Sequence, residues 1–160
     1  MTCLQCGGAM TTARENFKYD ASGLPGITLV GVEVSRCPQC GEFEVSIPQI
    51  EELHRMLARA VAAKPERLAA EEIRYLRKWL GWSGVDFADH MGVDPATVSR
   101  WENDSLQMGG SAERLLRLLV ATREPIQSYS LDMLKHISDT KATPLRLGVQ
   151  ADAAGWRVAA

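Results

Sequence analysis

The stretch RCPQCGEFEVS, residues 36–46, sets two cysteines two residues apart with a glycine directly behind them. TCLQCGGAM, residues 2–10, repeats the arrangement, and these two stretches hold all the cysteines of the chain. A Cys-x-x-Cys turn aims two sulfurs at one point, and two such turns close a tetrahedral four-thiolate cage. Cys3, Cys6, Cys37 and Cys40 are therefore expected to hold one structural Zn2+, with no open position left for a catalytic water. Gly7 and Gly41 stand where the chain must turn sharply and a side chain would obstruct. Two disulfides are an alternative, disfavoured in a reducing cytosol. Iron suits the same cage. A redox CxxC pair leaves the matching second pair without a role.

Between the knuckles the pattern is β. In GITLVGVEVSRC, residues 26–37, Thr28, Val30, Val32 and Val34 alternate with Ile27, Leu29, Gly31, Glu33 and Ser35, which predicts a strand with two distinct faces. FKYD (17–20) is a partner strand and ASGLPG (21–26) a turn-rich loop. SIPQIEELHRMLARAVAA then predicts a helix over 47–62, with Ser46 and Gln49 as a capping box and Pro48 in the first turn. Its apolar face is Ile50, Leu53, Leu57 and Val61, and His54 beside it is a packing or surface residue. So small a unit buries little core, and bound metal would supply much of its folding energy. Residues 1–62 are thus expected to form a small zinc-bound β (α+β) domain, followed by a hinge at 63–67 where Pro65 breaks the helix.

The rest is helical in pattern. The 160 residues are 46% hydrophobic and 24% charged, as in globular proteins. No apolar run nears the ~20 residues of a membrane span. With no leader pattern at the N-terminus, the expected location is the cytoplasm. Net charge is −2, so any nucleic-acid contact must come from a local patch. Residues 68–124 are expected to form an all-α domain. A helix over 68–80 has Ala69, Ile73, Leu76 and Leu80 inward. Ser83 caps a second helix with Asp86 three residues on and Phe87, Ala88 and Met91 inward. Gly92 turns the chain. Asp94 caps a third helix with Pro95 at its first position and Thr97 at its third, and Val98 and Trp101 inward. Ser111 opens a fourth, with Leu115, Leu118 and Leu119 as its apolar stripe. Two short helices joined by a glycine turn make a helix-turn-helix.

WSGVDFADHMGVDPATVSRWEND, residues 82–104, resembles the phage-repressor class of helix-turn-helix, the Xre or Cro type, which implies a λ-repressor-like fold. Phe87-Ala88, Gly92-Val93, Thr97-Val98-Ser99-Arg100 and Trp101-Glu102 fall at the pattern positions. Two cysteine knuckles ahead of that motif resemble the MqsA family of antitoxins, with their YgiT-type zinc finger, over residues 1–124. The resemblance implies an antitoxin of a type II toxin–antitoxin system, whose zinc domain holds the toxin and whose helix-turn-helix dimerises and represses its own operon. The chain departs from the pattern at Gly84, where a polar residue is common, at Ala96, where the family has a base-reading Asn, and at Glu102-Asn103-Asp104, where Glu-x-Gly is usual.

The residues themselves also point to DNA. The first turns of the helix starting after Asp94 should enter the major groove of a double-stranded operator. Arg100 can bond guanine bidentately. Thr97 and Ser99 can reach bases or phosphates, Ser83 and Asn103 phosphates, and Pro95 and Ala96 a thymine methyl. The bland alternative is a solvated surface helix with Arg100 paired to an acidic neighbour. Arg74, Arg77 and Lys78 read as a solvated basic face. A toxin is expected on the edge and the Ile27–Leu29 face of the alternating strand; in the competing reading both faces of that strand pack inside the chain. A stand-alone regulator without a toxin is the alternative function. No Ser-His-Asp, paired-carboxylate or phosphate-loop pattern points to an enzyme. Beyond residue 124, YSLDMLKHIS reads as a further helix and PLRLGVQADAAGWRVA as a hairpin turning near residues 152–155, in an extension (125–160) of unassigned role.

Overall fold

The computed structural model describes residues 1–123 and 137–160, and the helix expected over 129–138 lies mostly outside the described residues. Five strands form one sheet: β1 (Thr11–Lys18), β2 (Ile27–Arg36), β3 (Phe43–Val45), β4 (Leu147–Asp152) and β5 (Gly155–Val158), in the order β1-β2-β4-β5 with β3 also on β2. Among the described residues five α-helices follow the third strand: α1 (Ile50–Ala63), α2 (Ala70–Trp79), α3 (Gly84–Met91), α4 (Pro95–Glu102) and α5 (Gly110–Thr122). A β-sheet region with its cysteine cluster followed by a helical helix-turn-helix region is the expected fold class.

The strand β2 does not alternate as expected. Glu15 faces Val32 and Phe17 faces Leu29, so Asn16 alone opposes Val30 and Gly31. This is a β-bulge, with Gly31 at φ 67° and its N–H donating to Asn16 Oδ1 at 3.1 Å. One extra residue swaps the faces beyond it. Ile27 and Leu29 (each 0% exposed) therefore share the buried face with Val32 and Val34. The partner-binding role expected of Ile27 and Leu29 is corrected accordingly, since neither side chain reaches the surface. Nor is the edge of β2 open beside them. Leu147, Gly148 and Val149 of β4 pair with Ile27, Thr28 and Leu29 in parallel. The extension beyond residue 124 thus supplies the hairpin expected there, as β4 and β5, and fills the edge assigned to a partner.

The helix α1 starts at Ile50, not at residue 47, and no side chain caps it; Gln49 takes a left-handed φ of 49°. Pro48 disfavours helical backbone at Ile47, and the Ser46 N–H is held by Glu33 O at 2.9 Å. The proposed Ser46–Gln49 capping box therefore does not form. Leu53, Leu57 and Val61 are buried as expected, whereas Ile50 is exposed. His54 packs between Tyr19 and Tyr75, its Nε2 3.0 Å and its Nδ1 2.9 Å from their hydroxyls.

Residues 63–67 are not a free hinge. Lys64 and Arg67 are buried. The Lys64 ammonium pairs with Glu72 at 2.5 Å and bonds Thr143 O, and Arg67 pairs with Glu113 at 2.8 Å. Arg117 donates to the carbonyls of Ala62, Lys64 and Glu66. One apolar cluster runs through both halves, from Ile27 and Val34 through Leu57 and Ile73 to Phe87 and Leu116. In α5 the buried face is Glu113, Leu116, Arg117 and Val120, because the Glu113–Arg117 pair turns inward. The expected stripe is corrected: Leu115 and Leu118 are exposed.

Candidate metal centre and nucleic-acid interface

The two knuckles have the same backbone. Gly7 N donates to Cys3 O at 2.9 Å and Gly41 N to Cys37 O at 3.0 Å, with φ of 75° and 78° at the two glycines. Cys3 N donates to Gly8 O and Cys37 N to Glu42 O, each at 2.8 Å. The bond from Cys37 N to Glu42 O sits where β2 hands over to β3, so sheet pairing brings the second knuckle to the first. Cys3 Sγ lies 3.6 Å from Cys40 Sγ, and Cys6 Sγ lies 3.4 Å from Cys37 Sγ. All four sulfurs fall within 4.8 Å of one another, and none is in a disulfide. Four sulfurs around a zinc at about 2.3 Å lie about 3.8 Å apart, so the cluster has the dimensions of such a cage. Cys3 and Cys37 are buried while Cys6 and Cys40 face solvent.

The local electrostatics differ between the sulfurs. The amides of Cys40 and Gln39 draw the Cys37 thiol down to about 7 despite desolvation. The Glu42 amide favours the Cys40 thiolate, but the Cys6 sulfur, burial and the Cys3 and Cys37 sulfurs outweigh it and push that thiol up to about 12. Four thiolates cannot sit this close without a cation among them. His54 takes no part in the cluster.

The helix-turn-helix is built by its caps. Ser83 Oγ accepts from Asp86 N at 3.1 Å, and Asp86 Oδ2 accepts from Ser83 N at 3.0 Å. The Ser83 N–H, together with the Ser83 hydroxyl on the same oxygen, holds the Asp86 carboxyl below its ordinary value. Gly92 turns the chain at φ 68°. Asp94 Oδ1 then accepts from Thr97 N at 2.7 Å, which lowers the Asp94 carboxyl as well. Phe87 and Trp101 meet edge to face at 6.1 Å and lock α3 onto α4.

On α4 the structure exposes Pro95, Ala96, Ser99 and Arg100 and half-buries Thr97. Arg100 makes no close ion pair among the described residues, although its charge helps to keep the Asp94 carboxyl low, behind the Thr97 amide. The expected phosphate-binding side chains are partly engaged elsewhere. Ser83 Oγ also donates to Asp86 Oδ2 at 2.8 Å, and Asn103 Oδ1 accepts from Ser105 Oγ at 2.6 Å. Arg74 and Arg77 are not a simple solvated face. Arg77 grips the buried Glu102 carboxylate at 2.9 Å, and Arg74 donates to Glu102 O at 2.6 Å, tying α2 to the end of α4. The Trp82 and His90 rings stack at 3.9 Å, a contact that helical spacing does not predict, because Trp82 precedes α3 and the chain folds its ring back over the helix.

Residues 73–127 match the helix-turn-helix family, and this domain is of the Xre/Cro type. The match begins within α2 and runs past the end of α5. A helix-turn-helix of this type is a DNA-binding unit, and here it follows a four-cysteine cluster. No curated protein matches the chain. Among the described residues no helix is long and apolar enough to cross a membrane.

Proposed function

We propose that the protein is a sequence-specific DNA-binding repressor, dimeric on its operator, with one structural zinc on Cys3, Cys6, Cys37 and Cys40. The observation that carries the reading is the exposed first turns of α4 within a matched helix-turn-helix, with Arg100 free to form a guanine fork. Ser99, Thr97, Pro95 and Ala96 beside it would contact bases and methyl groups, and Ser83 and Asn103 would reach phosphates by giving up their internal bonds. Zinc would hold the two knuckles together and supply folding energy, while the chain's own sulfurs and amides fix the geometry. The exposed Leu115 and Leu118 of α5 give a second protomer an apolar face to meet.

A toxin partner is the finer reading, and it rests on the order of the two modules, which resembles the MqsA antitoxins. A toxin would have to use a surface other than the Ile27–Leu29 face. Footprinting of the protein on DNA upstream of its own gene tests the repressor reading, with a two-fold symmetric footprint as the expected result. Co-expression with the neighbouring gene tests the toxin. Rescue of growth arrest supports the antitoxin role, and a harmless neighbour leaves the stand-alone regulator.

A further inference from the structure

We infer that a groove where β1, β2 and β4 meet binds the phosphate group of a small phosphorylated molecule. The groove lies on the face of the sheet opposite the buried Ile27–Leu29 side, and its volume is about 550 Å³, within the range of ligand pockets. Strand pairing explains its shape. Lys18 faces Thr28 across β1 and β2, and Thr28 faces Gly148 across β2 and β4. Gly148 brings no side chain to that row, and Val30 Cγ2 and Ala159 Cβ close over it, 3.3 and 3.6 Å from where a Cβ would stand, so the groove opens on the Lys18–Thr28 side. At the rim Leu147 N donates to Gly26 O at 2.9 Å, and the Leu145 carbonyl comes so close that a Cβ on Gly26 would lie 2.1 Å from it.

The lining offers donors and no carboxylate. It includes the Lys18 ammonium, the Arg146 guanidinium, the Thr28 hydroxyl and the Asn16 amide. The Asn16 oxygen already accepts from Gly31 N, which leaves its NH2 to donate outward. Among the described residues neither Arg146 nor Thr28 makes a side-chain hydrogen bond. Lys18 lies 3.6 Å from Asp20, but both side chains are well over half exposed, and such a pair holds its partners weakly. Two cations, a hydroxyl and an amide NH2 along one groove match the several acceptor oxygens and double charge of a phosphate monoester. A single carboxylate fills fewer of them. Because Arg146, Leu147 and Gly148 line one side of the groove, the ligand would also bind the C-terminal hairpin to β2. The inference is independent of the DNA-binding reading.

The full-length protein, titrated with inorganic phosphate and with phenyl phosphate, tests it through the amide resonances of Gly26, Thr28 and Gly148. Saturable shifts are expected with both probes. Arg146→Gln and Lys18→Gln, both at exposed positions, should each weaken binding about tenfold. Benzoate and sodium chloride at equal ionic strength are the controls. Shifts that chloride reproduces, benzoate binding as tight as phenyl phosphate, or affinity unchanged in both variants would overturn the inference. Perturbation of these amides by duplex DNA but by neither phosphate probe would overturn it too.

Discussion

The Glu113 carboxylate lies 3.0 Å from the Arg117 guanidinium one turn along α5, and neither side chain is open to solvent. The other Glu113 oxygen holds Arg67 and the Leu68 amide. The terminal nitrogens of Arg117 also donate to the carbonyls of Ala62, at the end of α1, and of Lys64 and Glu66 in the segment that follows, while its buried Nε–H finds no partner among the described residues. The pair therefore fastens that segment to α5. Removing one partner leaves charge stranded in the core. Glu113→Ala is expected to cost about 3–5 kcal/mol, read from the urea midpoint. A loss under about 1 kcal/mol would mean that water reaches both guanidiniums and that the segment is not fixed by this pair.

The cysteine cluster predicts one zinc per chain in protein purified under reducing conditions. Cys37→Ser should abolish stoichiometric metal and lower the melting temperature. Amide exchange should rise first at the knuckles and β3, which among the described residues pairs with β2 alone, beside Cys37. The helices α2 to α5 should keep most of their protection. Metal-free protein with unchanged exchange at the knuckles would rule out a zinc-dependent fold.

Much of this arrangement was legible because it is local. The knuckles are fixed by spacing and two glycines, and the caps at Ser83 and Asp94 by residues within three positions of them. What was missed is nonlocal. Nothing near Gly31 reveals that Asn16 will oppose two residues of β2, so strict alternation put Ile27 and Leu29 on the wrong side of Val32 and Val34. In α5, Leu115 and Leu118 outrank Glu113 and Arg117 as core residues by hydrophobicity alone. The pair is buried because Arg117 finds carbonyls of a segment 51 to 55 residues earlier in the chain. The β4 edge pairing is likewise invisible from β2 itself.

Arg100 decides the DNA-facing proposal. Arg100→Ala should weaken operator binding by about 1–3 kcal/mol and relax one base of each half-site. The half-sites should lie about one helical turn, roughly 34 Å, apart. Asp86, Asp89, Asp94 and Asp104 lie around the same motif, so affinity should fall steeply as salt rises only to the extent that α2 and α5 cations reach phosphates. Unchanged affinity and base preference in Arg100→Ala would place the reading face elsewhere.

His54 gives stability a dependence on pH. Burial holds its imidazole below the ordinary value of 6.5, and among the described residues the groups facing it are the Tyr19 and Tyr75 hydroxyls. In the unfolded chain the ring takes up a proton below about pH 6.5, while the folded ring resists it. The unfolded state then binds more protons, so stability rises with pH. The contribution is complete above about pH 6.5 and is lost as pH falls through the folded value. Between pH 7 and 5.5 the urea midpoint of the native protein should fall further than that of His54→Gln. Equal falls would show that other groups carry the whole slope.

The C-terminal hairpin should be needed to keep the sheet monodisperse. Its strand β4 covers the β2 edge at Ile27, Thr28 and Leu29, and Val149 is fully buried. Trp156 donates its indole N–H to Pro48 O at 2.7 Å, pinning β5 to the entry of α1. Leu145 N donates to Glu72, the buried partner of Lys64. A chain ending at Thr143 loses all of these at once. Burial of Val149 alone is worth about 1.5–3 kcal/mol, and the truncation leaves an apolar strand edge with unpaired backbone groups. The truncated protein should melt well below the full chain and form larger species by light scattering. Val149→Asp should reproduce the loss of stability with the hairpin still present. A truncated chain with native stability and native size would show that β4 is an accessory strand and that the β2 edge is protected by something else.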